Sequence, residues 1–161
     1  MNIDNVLNNF IKQQGYDDLT ACYKEFEDSY YAPNALGGTV VLGNMSNPDA
    51  DRVFMQLCKE EFGLEIEDLH IETLSFLHEV GHYITMDYLD DDEIYESEVT
   101  KMMLYMSKDD SEYTDKDYEM YMLCPIEYEA TLDAVKFCNA CPEVVRKLDR
   151  DIQEALYGIH D

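Results

Sequence analysis

The chain has 161 residues, of which 36 are Asp or Glu and 11 are Lys or Arg, giving a formal net charge of -25 at pH 7; 46% are hydrophobic. That length and apolar content fit one domain with its own core and exclude wholesale disorder, because the hydrophobic residues run along the whole chain. A surface this acidic repels phosphate at long range, so direct nucleic-acid binding is not expected, whereas basic peptides, basic protein faces and metal cations are attracted.

From the N-terminus, Ile3, Val6, Leu7, Phe10 and Ile11 recur at helical spacing, and Gly15 is placed to stop that helix. A second amphipathic segment, residues 19–30, carries Leu19, Cys22, Tyr23 and Phe26 on one side before Pro33, Asn34, Gly37 and Gly38 break the pattern. Residues 1–35 are therefore expected to form N-terminal helices. Thr39, Val40, Val41 and Leu42, β-branched or apolar between Gly38 and Gly43-Asn44, make the one predicted strand. Asn47-Pro48 followed by Val53, Phe54, Leu57 and Phe62 reads as a capped helix ending at Gly63.

Residues 67–86 carry Leu69, Leu74, Phe76, Leu77, Val80, Tyr83 and Ile84, which leaves few sides polar, the pattern of a helix at the domain centre. Asp90-Asp91-Asp92 interrupts. Residues 93–106, 118–123, 126–138 and 144–157 read as further helices, separated by Lys108-Asp109-Asp110-Ser111, Cys124-Pro125 and Cys141-Pro142. The expected fold is mainly α with a small β-sheet (α+β). It is a single domain over residues 1–161 around a central helix, with a core at 36–138 and a C-terminal helix in 139–161.

No run approaches the ~18 consecutive apolar residues of a membrane-spanning helix, and residues 1–5 lack the features of a secretory signal. The expected location is the cytoplasm, without membrane association. The five cysteines then read as reduced thiols; Cys138 and Cys141 have C-x-x-C spacing but no second pair, and are read as a helix end. Cys58 and Cys124 read as small buried hydrophobes.

The chemistry is concentrated in Phe76-Leu77-His78-Glu79-Val80-Gly81-His82-Tyr83-Ile84, which places His-Glu-x-x-His inside an otherwise apolar helix. Histidines four apart are offset by only about 40° around an α-helix, so both imidazoles can reach one metal ion, and Glu79 can reach a water on that ion. Zn2+ lowers the pKa of such a water to about 7, and a neighbouring carboxylate can take its proton during attack on a carbonyl and return it to the leaving amine. Gly81 would let the helix pack closely or leave room beside the site, at a cost of about 1 kcal/mol relative to Ala.

Catalytic zinc sites usually have three protein ligands, so a third is expected elsewhere. Residues 125–134 offer Glu127, Glu129 and Asp133. Glu129 and Asp133 lie four apart on one helix face; Glu129 is the favoured ligand, with Asp133 accepting a hydrogen bond from the far nitrogen of a zinc-bound imidazole. Glu127 sits roughly 200° away and could hardly serve the same metal as Glu129, so it is the first alternative. His160, His70 and the acidic turn at 90–93 are the others. Tyr118, Tyr121 and Tyr128 are the nearby candidates for stabilising a developing oxyanion.

His78-Glu79-Val80-Gly81-His82 followed by Glu127-Tyr128-Glu129-Ala130 at a helix start resembles the zincin metallopeptidases of the gluzincin branch, and within it the ImmA/IrrE-type peptidases associated with phages, mobile elements and stress responses. The resemblance implies a zincin-like domain, peptide-bond hydrolysis, His78, His82 and Glu129 as zinc ligands, and Glu79 as general base. It also gives the strand at 39–42 a meaning, as the cleft-edge strand to which an extended substrate adds. The substrate is expected to be a basic protein or peptide, and by the resemblance a DNA-binding regulator is one such protein. The alternative function is an acidic protein-binding or inhibitor module on a zincin-like scaffold with a structural or vestigial metal. On that reading Glu79→Gln is harmless, and charge reversal over residues 87–98 abolishes function.

Overall fold

The Asn2 side chain accepts a hydrogen bond from the Asn5 amide and so starts α1 (Ile3–Gln13), whose Val6, Leu7, Phe10 and Ile11 are buried as the periodicity predicts. The structure, a computed structural model, describes residues 2–45 and 47–158. The next segment departs from expectation. Residues 19–24 are a strand, β1 (Leu19–Lys24), and not part of a helix. Leu19, Cys22, Tyr23 and Phe26 fit helical spacing, but Leu19 and Ala21 alternate into the core with period two. Pairing with a distant strand decides between the two readings.

That partner is β3 (Gly37–Gly43), parallel to β1, with β2 (Tyr30–Asn34) antiparallel on its other side. The order β1-β3-β2 makes Thr39, Val40, Val41 and Leu42 the central strand of three. Both of its edges are already hydrogen-bonded, which corrects the expectation that these four residues receive a substrate strand. The outer edge of β1 is closed as well. Asn8 of α1 donates to the Ala21 carbonyl (2.6 Å) and accepts from the Ala21 amide (2.9 Å), and Asp4 accepts from the Tyr23 amide (2.7 Å). The remaining edge is β2, where Pro33 lacks a donor and is tolerated because the strand is terminal.

α2 (Pro48–Glu60) is capped by Asn47, as predicted. It is followed by α3 (Ile71–Thr85), the central helix, buried from Thr73 to His82 at all but Ser75. Its start is held by Asp149 of α7 (Pro142–Tyr157). Asp149 accepts from the His70 amide (3.2 Å) and the Thr73 hydroxyl (2.6 Å), and lies 2.8 Å from His70 Nδ1. His70 is thus engaged as a helix cap partner, away from the other histidines. α4 (Asp91–Ser107) begins with an Asp90/Glu93 capping box, which accounts for the acidic turn at 90–93 without a metal. α5 (Asp115–Met122) has a Thr114/Asp117 box, and α6 (Pro125–Ala140) follows Cys124. His160 lies outside the described residues.

The core sits between α1, the sheet, α3, α6 and α7, with the Phe10 ring edge-on to Phe76 and Phe137 at 5.8 Å each. The fold is mainly α with a small mixed sheet. All five cysteines are unpaired, with Cys58, Cys124 and Cys138 buried. Among the described residues, no helix is long and apolar enough to cross a membrane.

Candidate metal centre

Gly81 and Ala130 bring α3 and α6 together. A Cβ at Gly81 would lie 2.4 Å from the Ala130 carbonyl oxygen and 3.1 Å from its Cα, so the close crossing exists only because position 81 has no side chain. The start of α6 is fixed from the other side. Pro125 needs no amide partner, the Ile126 amide donates to Ser97 Oγ (3.0 Å), and Ser97 in turn donates to the Glu93 carbonyl of α4 (2.8 Å). These contacts explain a serine that is fully buried in α4.

The crossing places Glu127, in the first turn of α6, over the His78 and His82 rings. Glu127 Oε2 lies 2.8 Å from His78 Nε2 and 3.1 Å from His82 Nε2, and all three side chains are buried. The two imidazoles stand edge to face with centroids 4.6 Å apart. Glu79 Oε2 is 3.9 Å from His82 Nε2, and His78, Glu79 and His82 offer ligand atoms within 4.8 Å of one another.

Two expectations are corrected. Glu129 is two residues further along α6, about 200° around the axis, and is not brought to the histidines. Asp133 is likewise on the far side, lining a smaller cavity of about 310 Å³ with Tyr16, Leu77 and Lys136. The partner of the far imidazole nitrogen is Thr131: its Oγ1 is 3.0 Å from His78 Nδ1 and donates to the Glu127 carbonyl at 2.8 Å. Its proton is committed to that carbonyl, so the hydroxyl accepts from Nδ1–H and leaves Nε2 facing Glu127.

Lys101 of α4 was not foreseen. Its ammonium pairs with Glu127 Oε1 and stands 4.9 Å from the centre of the Tyr121 ring. The signal was in the sequence: Lys101 is the single basic residue of α4, set between Val99 and Leu104 in a chain otherwise short of cations. A partly buried charge of this kind is stabilised by a partner.

The electrostatics follow from burial and neighbours. Burial alone would push the Glu127 carboxyl up, but hydrogen bonds from His78 and His82, with their charges, hold it well below the usual carboxylate range. Burial would lower His78, yet the hydrogen bond to Glu127 and the nearby Glu79 carboxylate outweigh it and the imidazole is raised. Glu79 is raised above the ordinary glutamate range by burial, which the two imidazoles offset only in part.

The centre lies in a cleft of about 1010 Å³ between α2, β2, α4 and α5, lined also by Tyr31, Tyr105, Tyr118 and Tyr121. Of the tyrosines considered for the oxyanion role, Tyr118 takes a hydrogen bond from Asn47 (2.9 Å) and Tyr128 packs on Phe62 outside the cleft. Tyr121 lines the cleft beside Lys101, and burial first, then the Glu127 charge, raises its phenol.

His78, Glu79 and His82 could together hold a metal ion, and Glu127 Oε2 lies within hydrogen-bond distance of both imidazoles; imidazoles and carboxylates suit several divalent metals and are not particular to zinc. Donor atoms around one tetrahedral ion with bonds of about 2.0–2.1 Å stand roughly 3.3 Å apart, a few tenths of an ångström more than Glu127 Oε2 stands from either ring. No protein-family model, curated protein or solved structure matches the chain.

Proposed function

We propose that the chain is a metal-dependent peptidase of zincin type, with zinc as its resident metal, acting in the cytoplasm on a basic protein or peptide. The His78-Glu79-Val80-Gly81-His82 part of the resemblance to ImmA/IrrE-type peptidases supports the same reading, whereas the third ligand it implied, Glu129, does not. His78, His82 and Glu127 would hold the ion. The observation that carries the reading is the approach of Glu127 Oε2 to both Nε2 atoms beside Glu79, in a cleft of about 1010 Å³. When bound, zinc supplies Lewis acidity to a water and to a carbonyl oxygen.

The remaining work falls to the chain's own residues. Glu79, its carboxyl raised by burial, would accept the proton of the attacking water and hand it to the leaving amine. Thr131 fixes the orientation of His78, and Lys101 engages the second Glu127 oxygen so that one oxygen faces the histidines. Tyr121, whose phenol is raised by burial and lines the cleft, would be the donor to developing charge. The net charge of -25 draws a basic substrate in.

The test is hydrolysis of a fluorogenic lysine-rich peptide library in the presence of zinc. Glu79→Gln should retain metal and lose roughly 10²- to 10⁴-fold in rate; cleavage at the wild-type rate in that variant refutes the proposal. A second reading, a metal-free buried ion cluster, is favoured by the hydrogen-bond lengths between Glu127 and both rings. It predicts a folded protein that binds no zinc.

A further inference from the structure

α4 packs inward through one side, and among the described residues its opposite, apolar side is left largely exposed. Ser97 and Leu104 face inward and Lys101 turns to Glu127. On the opposite side Tyr95, Val99, Met102 and Met106 follow one another at spacings of four, three and four residues, within about 60° of arc. Tyr95 is 68%, Met102 54% and Met106 79% exposed, and the neighbouring Met103 and Tyr105 are exposed too. Of the four, Val99 is half-buried and the other three are exposed; spacing of this kind is the seam by which one helix packs along another, and a largely uncovered run of it in water marks an interaction surface.

The charges beside the seam select what covers it. Asp91 and Glu98 lie on one side and Asp92 and Glu96 on the other, all exposed, while the single cation of the helix is turned inward and paired. A second copy would set carboxylates against carboxylates at these flanking positions, on chains that each carry -25. A helix with basic flanks meets them with opposite charge. Methionines at the contact adapt to varied apolar partners.

We infer that the outer face of α4 docks an amphipathic helix of a partner protein, apolar at alternating four- and three-residue spacing and flanked by Lys or Arg. This holds whether or not the buried centre is catalytic.

The experiment is calorimetric titration of the full chain with a synthetic helix of about 21 residues, Leu on the seam and Lys on its flanks. A shuffled peptide of the same composition and a Glu-flanked version are the comparisons. The Lys-flanked peptide is expected to bind one to one and to weaken as salt rises, and both comparison peptides to fail. The double variant Met102→Glu, Met106→Glu is expected to keep the wild-type thermal midpoint, because both side chains are exposed, and to bind at least about tenfold more weakly. General charge attraction predicts the reverse, since the variant is more acidic. Equal or tighter binding by the variant, equal binding of the shuffled peptide, or no binding of the Lys-flanked peptide overturns the inference. So does a wild-type dimer in sedimentation that the variant dissociates.

Discussion

Thr131 engages two neighbours with one hydroxyl, donating to the Glu127 carbonyl and accepting from His78 Nδ1–H, so one side chain sets both the helix turn that carries Glu127 and the orientation of the ring facing it. Thr131→Val keeps the shape and removes both bonds. The expected outcome is a loss of about 1–3 kcal/mol of stability from the unpaired buried nitrogen and a fall of about 10- to 100-fold in metal affinity, read by denaturation and chelator competition. Unchanged affinity would count against the proposed role of His78. Gly81→Ala tests the helix crossing. An isolated helix would gain about 1 kcal/mol, but the new Cβ strikes the Ala130 carbonyl, so denaturant unfolding should show a net loss of about 1–3 kcal/mol. The motif residues on α3 were legible because their spacing is local. The third donor was not, because Glu127 with Thr131 and Glu129 with Asp133 share the same four-residue offset. Only the Gly81–Ala130 contact decides which pair faces the histidines.

At the scale of elements, α4 and α5 are joined by an ion pair whose pH dependence has a definite sign. Lys108 donates to Asp117 at 2.7 Å, and the Thr114 amide and hydroxyl donate to the same carboxylate. These bonds, Lys108 first, lower the Asp117 carboxyl to about 2. A depressed acid stabilises the fold above its unfolded value of about 3.9, and that contribution is lost as pH falls through about 2. An NMR titration of the Asp117 carboxyl should give a midpoint of about 2 in the wild type and a higher one in Lys108→Met. A midpoint unmoved by the substitution would show the pair to be without effect. The helices of this region were readable from apolar periodicity and the acidic breaks between them, which are local; their capping boxes at Asp90 and Thr114 were not read, and α5 begins three residues before the expected 118. β1 and β2 were not: β1 mimics a helical stripe, β2 contains Pro33, and both exist through pairing with β3 and, for β1, through Asp4 and Asn8 of α1.

Over the whole molecule, acidity and burial act at different depths. The charge of -25 is spread along the chain, whereas the centre is a small group of two imidazoles, two carboxylates and one ammonium paired among themselves. The overall class, mainly α with a small sheet around α3, was legible because a long apolar helix bounded by acidic turns has few places to go but the centre. The cleft was not, because it is made by the approach of α2, β2, α4 and α5, which lie far apart in sequence. The most direct measurement of the central claim is elemental analysis of the folded wild type beside Glu127→Ala and Glu129→Ala, with circular dichroism to verify folding. The account predicts about one zinc per chain in the wild type and in Glu129→Ala, and its loss in Glu127→Ala. A folded wild type without metal, or zinc kept by Glu127→Ala and lost by Glu129→Ala, would contradict it.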